Sequence, residues 1–225
     1  MKSKIFYRLV LITFWSLFSA VLVFADQIAV TEDGKKVLLK DDGTWEYAKE
    51  EPKKEEGLYD FRKTTWGMSK IQVKKTEKGK IIKEDEKLLA YQGKVGGLDC
   101  FILYILAEGK LVRAKYVFTK THSNENDYII DFNTLKETLT KKYDKPVEDT
   151  QIWKNDLYKD DYQHWGIAIS MGHLVYFASW ETLRTNISLM LHGENYKIDL
   201  EIEYQSKKLK KLEQKAEEKK ALDEF

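Results

Sequence analysis

The sequence predicts an α+β protein whose main domain is an antiparallel sheet packed by two or more short helices. Short apolar or alternating runs, separated by glycine-containing turns, recur between residues 88 and 204 and are typical of antiparallel strands. Two other segments, near residues 69–78 and 128–142, carry a helix cap or apolar residues at helical spacing. A small N-terminal β-meander and a charged C-terminal helix complete the predicted architecture.

Residues 1–25 have the composition of an export signal. Lys2, Lys4 and Arg8 precede an uncharged apolar run that ends in small side chains at Val23 and Ala25. We therefore expect cleavage after this run and a protein that is periplasmic or secreted. A retained membrane anchor is the alternative, because the run is only slightly shorter than a spanning helix. After cleavage we expect no stable membrane span.

Charge and cysteine content narrow the function classes. The chain carries 38 Lys and Arg against 37 Asp and Glu, and the two signs are interleaved. Nucleic-acid binding needs a concentrated basic surface, so no nucleic-acid partner is expected.

Cys100 is the only cysteine, which excludes an internal disulfide. Its apolar, strand-like surroundings predict a buried and unreactive thiol.

The segment that follows the export signal, residues 26–48, predicts a small β-meander. Asp33-Gly34 and Asp42-Gly43 are hairpin turn signals between short β-prone runs. A meander of this size buries too little surface to be stable alone. We therefore expect it to dock on the main domain or to become ordered when it binds a partner. The charged residues 49–57 predict a linker.

The main domain opens with a capped helix. Ser69 and Gln72 have the spacing of a capping box, and Met68 and Val73 have the spacing of a hydrophobic staple. The pattern predicts a short helix that ends near residue 78, before a glycine.

Further strands and one longer helix are predicted across the main domain, residues 58–205. Apolar spacing predicts the second helix over residues 128–142, and Pro146 cannot continue it. A charged helix with a narrow apolar stripe is predicted over residues 206–225. A helix followed by several antiparallel strands is predicted twice along the main domain, and this repetition predicts a duplicated unit. The strands are expected near residues 88–94, 98–107, 111–120, 147–154, 164–170 and 174–181, and in a final hairpin over 187–204 whose polar face is expected to be wet.

Two short motifs resemble known exported proteins. The segment Gly67-Met68-Ser69-Lys70 to Val73 is similar to the helix-opening motif of the SmpA/BamE outer-membrane assembly lipoproteins, and residues 139–146 resemble their helix-to-strand turn. Two helix-plus-strands units side by side resemble β-lactamase-inhibitor-type proteins. The resemblance implies a helix-packed antiparallel sheet and a protein-contact module without catalysis. No cysteine follows the signal, so lipid attachment is not implied.

The sequence carries no motif of nucleophilic catalysis, metal binding or phosphate binding. No Gly-x-Ser-x-Gly elbow accompanies a histidine, and no two histidines lie within five residues of each other. We therefore predict no catalytic residue, no metal and no cofactor. The four histidines are His122, His164, His173 and His192.

Aromatic and acidic residues are concentrated in the loop before residue 162 and in the segments after it. Aromatic rings beside carboxylates form good contact surfaces for proteins or saccharides. We therefore expect a non-enzymatic exported binding or assembly module of the bacterial cell envelope, with an envelope protein or a glycan as partner. The predicted binding surface comprises Tyr158, Asp161, Tyr162, Trp165 and Tyr176.

Two alternative functions stay open at this point. An envelope hydrolase could act on a wall-derived substrate with Asp161, His164 and His173 as its titrating groups. A carrier could instead hold a small apolar ligand in a cavity between the sheet and its helices.

Overall fold

A computed structural model describes residues 27–31, 36–40, 42–47 and 59–223. Backbone contacts divide the chain into two units, residues 1–54 and residues 55–225. The predicted export signal and the predicted linker lie outside the described residues. None of the described helices has the length and apolar character needed to cross a membrane.

The first unit contains the predicted meander. Strands β1 (Gln27–Val30), β2 (Lys36–Leu39) and β3 (Trp45–Tyr47) pair antiparallel in that order. In the turn between β2 and β3, Asp42 accepts hydrogen bonds from the hydroxyl and the backbone N–H of Thr44. These two bonds lower the pKa of the Asp42 carboxyl.

The second unit is built on one antiparallel sheet of eight strands, which confirms the predicted α+β class. The strands are β4 (Ile81–Glu84), β5 (Leu88–Val95), β6 (Leu98–Ala107), β7 (Lys110–Phe118), β8 (Glu148–Trp153), β9 (Leu174–Glu181), β10 (Thr185–Glu194) and β11 (Lys197–Ser206). Their order across the sheet is β4-β5-β6-β7-β11-β10-β9-β8.

Helices α1 (Lys70–Thr76), α2 (Asp127–Tyr143) and α3 (Trp165–Ser170) share one core with the sheet, and α4 (Lys210–Asp223) follows the last strand. The core is rich in aromatic rings, as expected of a chain that is 13% aromatic. The largest fully buried side chains among the described residues include Trp180, Tyr91, Tyr104, Phe132, Leu89 and Leu111.

The order of elements repeats within the sheet. Helix α1 precedes the meander β4 to β7, helix α2 precedes β8 to β11, and the last strands of the two halves, β7 and β11, pair at the centre. The turns before these last strands match as well, since Glu108-Gly109 and Asn195-Tyr196 all have positive φ. The predicted duplicated unit corresponds to this order.

Helix α1 begins as the capping box predicts. Gln72 N–H donates to the Ser69 hydroxyl, and Gln72 Oε1 accepts from Ser69 N–H at 2.8 Å. The helix ends at Thr76, two residues earlier than expected. Trp66 precedes the helix, and its Nε1 donates to Thr185 Oγ1 at 2.9 Å. The two residues are 119 positions apart in the chain, so this hydrogen bond joins the start of the first half of the sheet domain to strand β10 of the second half.

The strand predicted over residues 164–170 is wrong. The chain forms a 3₁₀ turn at Tyr162–His164 and then helix α3. A short apolar run does not distinguish a strand from a buried helix, and two glycines allow the helix. A Cβ on Gly166 would lie 2.5 Å from Asn126 N, and one on Gly193 would lie 2.5 Å from the Ile169 carbonyl oxygen. Helix α3 therefore packs directly against neighbouring backbone, which is possible only because both positions are glycine.

The predicted wet face of the last hairpin is only partly wet. Glu201 and Glu203 are about one-fifth exposed (18% and 21%) because Lys115 on the neighbouring β7 pairs with both, at 3.2 and 2.7 Å. Helix α4 adds Glu213, whose Oε1 lies 2.7 Å from Arg113 Nη2. The charged tail is therefore helical, as predicted, and its first turn is anchored on this face by an ion pair.

Strand β4 was not predicted. All four of its residues are exposed, and its apolar Ile81 and Ile82 are adjacent instead of alternating. The sequence signal of a half-buried strand is therefore missing there.

Candidate functional site

Three of the five predicted surface residues line one groove at the β8 end of the sheet. Tyr162, Trp165 and Tyr176 face a cavity of about 560 Å³ that is open to solvent. Helix α2 and strand β8 supply the rest of the lining, which sequence reasoning missed: Ile129, Asn133, Lys136, Asp149, Thr150 and Gln151.

An insertion into the second half of the sheet builds this groove. The connection from β4 to β5 occupies only residues 85–87, whereas the equivalent connection from β8 to β9 occupies residues 154–173. The longer connection contains the 3₁₀ turn, helix α3 and the side chains of Tyr162 and Trp165. The groove is therefore built where the second half departs from the first.

The side chain of Asn126 fixes the insertion against the start of α2. Its Nδ2 donates to the carbonyl oxygens of Tyr162 and Gln163 at 3.0 and 3.2 Å, and its Oδ1 accepts from Gly166 N–H at 2.6 Å. Three hydrogen bonds from one amide hold the residues on both sides of Trp165. The position of the Trp165 ring thus depends on Asn126, which lies 40 positions before Gly166 in the chain.

The aromatic rings of the groove pack mostly edge to face. The Trp165 ring centroid lies 5.0 Å from that of Tyr162 and 5.5 Å from that of Trp153, with interplanar angles of 62° and 72°. Trp165 Nε1 donates to the Lys159 carbonyl at 3.1 Å, which orients the indole. Tyr162 is 56% exposed, so this ring remains available to a ligand.

The charged and amide groups of the groove lie on helix α2 and strand β8. Lys136 Nζ on α2 lies 3.0 Å from Asp149 Oδ2 on β8, and Asn133 and Gln151 present exposed side-chain amides. Such a mixture of charged, amide and hydroxyl groups does not favour the predicted carrier of a small apolar ligand.

Tyr176 lies at the buried side of the groove. The residue is only 5% exposed, and its hydroxyl makes no hydrogen bond within the described part of the chain. Burial, followed by the nearby Tyr162 hydroxyl, raises the pKa of Tyr176 well above its usual range. The phenol therefore stays neutral at physiological pH and can donate a hydrogen bond to a ligand.

The other two predicted residues, Tyr158 and Asp161, shape the rim. Asp161 accepts from Gln163 N–H at 3.2 Å, which caps the 3₁₀ turn, and its Oδ2 lies 2.6 Å from His164 Nδ1. The Tyr158 ring stacks on His164 with 5.5 Å between centroids. These contacts support the turn that carries Tyr162.

Two of the three predicted hydrolase residues are joined by a hydrogen bond. Asp161 and His164 are paired, but the His173 side chain makes no hydrogen bond or ion pair with either of them among the described residues, and its buried Nδ1 has no partner there. Within the same residues no hydroxyl or thiol hydrogen-bonds to His164. A nucleophile activated by histidine requires that contact.

Cys100 and the metal-ligating side chains offer no second site of this kind. Cys100 is 1% exposed, and burial raises the pKa of its thiol to about 11, which agrees with the predicted buried thiol. Across the described ranges, no three His, Cys, Asp or Glu side chains are grouped so that they could hold a metal ion.

Comparisons with protein-family models, with curated proteins and with solved structures found no match to this chain. The resemblance to the SmpA/BamE lipoproteins and to β-lactamase-inhibitor-type proteins therefore stays a prediction.

Proposed function

We propose that the protein is a non-enzymatic binding module of the bacterial cell envelope and that the groove beside β8 is its ligand site. The observation that carries this proposal is the insertion at residues 154–173, which turns one end of a repetitive sheet into an aromatic groove. Binding sites are commonly built on connections that a rigid scaffold positions. Here the scaffold is the sheet with α2.

The size and exposure of the groove support binding of part of a larger molecule. A volume of about 560 Å³ lies within the roughly 300–1,000 Å³ typical of ligand pockets. Because the groove is open along one side, a long ligand can enter it without being enclosed. An envelope protein or a glycan strand fits that description, and export by way of residues 1–25 would bring the protein to either one.

The surroundings of the groove support binding over catalysis. Among its lining residues, Lys136 and Asp149 pair with each other. No described hydroxyl or thiol hydrogen-bonds to the nearby His164, although a nucleophile activated by histidine requires that contact.

The test compares two exposed tyrosines. Tyr162 lines the groove and is 56% exposed, whereas Tyr59 is 46% exposed and is not part of the lining. Calorimetric titrations with chito-oligosaccharides, soluble peptidoglycan fragments and linear peptides are expected to find a ligand whose affinity falls at least about tenfold in Tyr162→Ala and is unchanged in Tyr59→Ala. Equal loss in both variants, or no ligand at all, would contradict the proposal.

A hydrolase is the second candidate, favoured by the short distance of 2.6 Å between Asp161 Oδ2 and His164 Nδ1. Turnover assays on peptidoglycan fragments and esters decide between the two functions. If the protein turns over one of these substrates and alanine at Asp161, His164 or His173 abolishes that turnover, the protein is a hydrolase and the proposal of a non-enzymatic binding module is wrong.

A further inference from the structure

Strand β8 leaves one side of its backbone unpaired by any described strand. It is the last strand of the sheet and pairs only with β9. Backbone N–H and C=O groups along such an edge are ready to bond to another extended chain. The groove adjoins this edge, because β8 supplies part of its lining.

The register identifies which backbone groups point outward. Residues of an antiparallel strand alternate between those that bond to the neighbouring strand and those that face away. Lys154 N–H donates to the His173 carbonyl at 2.7 Å, and the register from there along β8 is regular. The alternation therefore directs the N–H and C=O groups of Asp149, Gln151 and Trp153 away from β9.

The opposite edge of the sheet is far less suitable for pairing. Strand β4 has four residues, and its register with β5 shifts between Ile81 and Lys83. Short and irregular edges disfavour the addition of another strand. Strand β8 has six residues, no proline and no register shift.

The groove lies on the same side of the sheet as the side chains of the outward-facing residues. Asp149 and Gln151 line it, and Gln151 is directly opposite Tyr176 in the register of β8 and β9. A strand added to β8 would direct every second side chain toward this side. One such side chain would meet the rings of Tyr162 and Trp165, near the Tyr176 hydroxyl, which has no hydrogen-bond partner in the described part of the chain.

The charges beside the groove indicate the composition of that strand. Residues 148–161 carry five carboxylates and two lysines, and Lys136 adds one more cation. Asp149, Asp156 and Asp161 pair with Lys136, Lys159 and His164, so Glu148 and Asp160 are the carboxylates that would attract a basic partner.

We propose that β8 binds an extended segment of a partner polypeptide as an additional strand, with one of its side chains in the groove and basic side chains beside residues 148–161. This inference rests on the groove being the ligand site. Main-chain hydrogen bonds to Asp149, Gln151 and Trp153 would supply affinity, and the groove would select the side chain.

The experiment uses a linear peptide chosen from a display library against the purified protein. Gln151→Pro removes the outward N–H at the centre of β8, whereas the matched Gln151→Ala removes only the side chain. Proline is tolerated at such an edge position, and equal thermal midpoints of the two variants check the fold. We expect the selected peptide to be basic and its affinity to fall about tenfold or more in Gln151→Pro, but only slightly in Gln151→Ala.

Two measurements on the unmodified protein support this comparison without relying on a variant. Hydrogen exchange at the amides of Gln151 and Trp153 is expected to slow at least about tenfold when the peptide binds. A peptide that is N-methylated at its central amides is expected to bind at least about tenfold more weakly.

The outcomes separate this inference from the proposed function. Chito-oligosaccharide binding that depends on Tyr162, or peptide binding that is insensitive to Gln151→Pro and to N-methylation, would overturn the added strand and leave the groove as a ligand site. Absence of binding by peptide and by oligosaccharide would overturn both proposals.

Discussion

The backbone N–H of Gly166 donates to Asn126 Oδ1 at 2.6 Å, and this contact joins the groove-forming insertion to helix α2. Gly166 is buried and has no Cβ, so its backbone can approach the chain at Asn126. The neighbouring Trp165 takes its position from this contact. Stability of the insertion and geometry of the groove should therefore change together.

Replacing Asn126 by alanine is expected to destabilise the protein by about 1–3 kcal/mol, because the substitution leaves the Gly166 N–H without its acceptor. Asn133→Ala is the matched control, since Asn133 lies on the same helix, is exposed and makes no hydrogen bond within the described residues. Denaturant unfolding measures both variants. If Asn126→Ala lowers the free energy of unfolding by no more than Asn133→Ala does, Asn126 does not stabilise the insertion as described.

Gly166→Ala tests the close approach itself. The added Cβ would lie 2.5 Å from Asn126 N, so α3 must move, and we expect a cost of about 1–3 kcal/mol. At Gly79 the nearest atom to an added Cβ is 3.3 Å away, so Gly79→Ala should cost less. Trp165 fluorescence should also change in Gly166→Ala, and an unchanged emission spectrum together with unchanged stability would refute the packing described.

Local signals in the sequence predicted local structure well. The Ser69 and Gln72 capping box and the alternation of the last hairpin depend on residues close in the chain, and both are confirmed. Helix α3 was predicted as a strand, because its helical state depends on Gly166 and Gly193 meeting distant backbone. Periodicity within six residues carries no information about such contacts.

The same distinction explains which part of the candidate site was predicted. Tyr162, Trp165 and Tyr176 are close in sequence, and the structure brings them to one groove. Lys136 and Asn133 were missed, because helix α2 reaches the groove only through the fold of the whole second half. A polar residue on a helix surface has no sequence signal that separates it from an ordinary solvated position.

The bond between Trp66 and Thr185 predicts coupling between the two halves of the sheet. In a double-mutant cycle with Trp66→Phe and Thr185→Val, the interaction energy is expected to be about 0.5–1.5 kcal/mol, because Trp66 Nε1 donates to Thr185 Oγ1 at 2.9 Å. A control cycle with Trp66→Phe and Thr150→Val should be additive within about 0.5 kcal/mol. Equal coupling in both cycles would show that the hydrogen bond is not the cause.

Alkaline pH is expected to destabilise the protein. Burial raises the pKa of Cys100 from 9.0 to about 11 and that of Tyr116 from 10.0 to about 12. The folded state therefore holds protons that the unfolded state has already lost, and the free energy of unfolding falls as pH rises through this range.

Unfolding titrations at successive pH values measure this effect. The free energy of unfolding should fall from about pH 9 upward, the ordinary pKa of the thiol, and tyrosinate absorbance should appear late for the buried rings. The fall should be shallower in Tyr116→Phe. Full ionisation of the tyrosines near pH 10 with the fold intact would contradict the burial of these groups.

Indole N–H resonances offer the most direct test of the groove as the ligand site. Among the six tryptophans, Trp165 lines the groove, whereas Trp66 and Trp180 do not. Phenylalanine variants assign the signals, and the titrant is the display-selected peptide or the chito-oligosaccharide, whichever binds. We expect the Trp165 resonance to shift on binding while those of Trp66 and Trp180 stay in place. Binding that shifts Trp66 or Trp180 and leaves Trp165 unchanged would contradict the assignment of the groove as the ligand site.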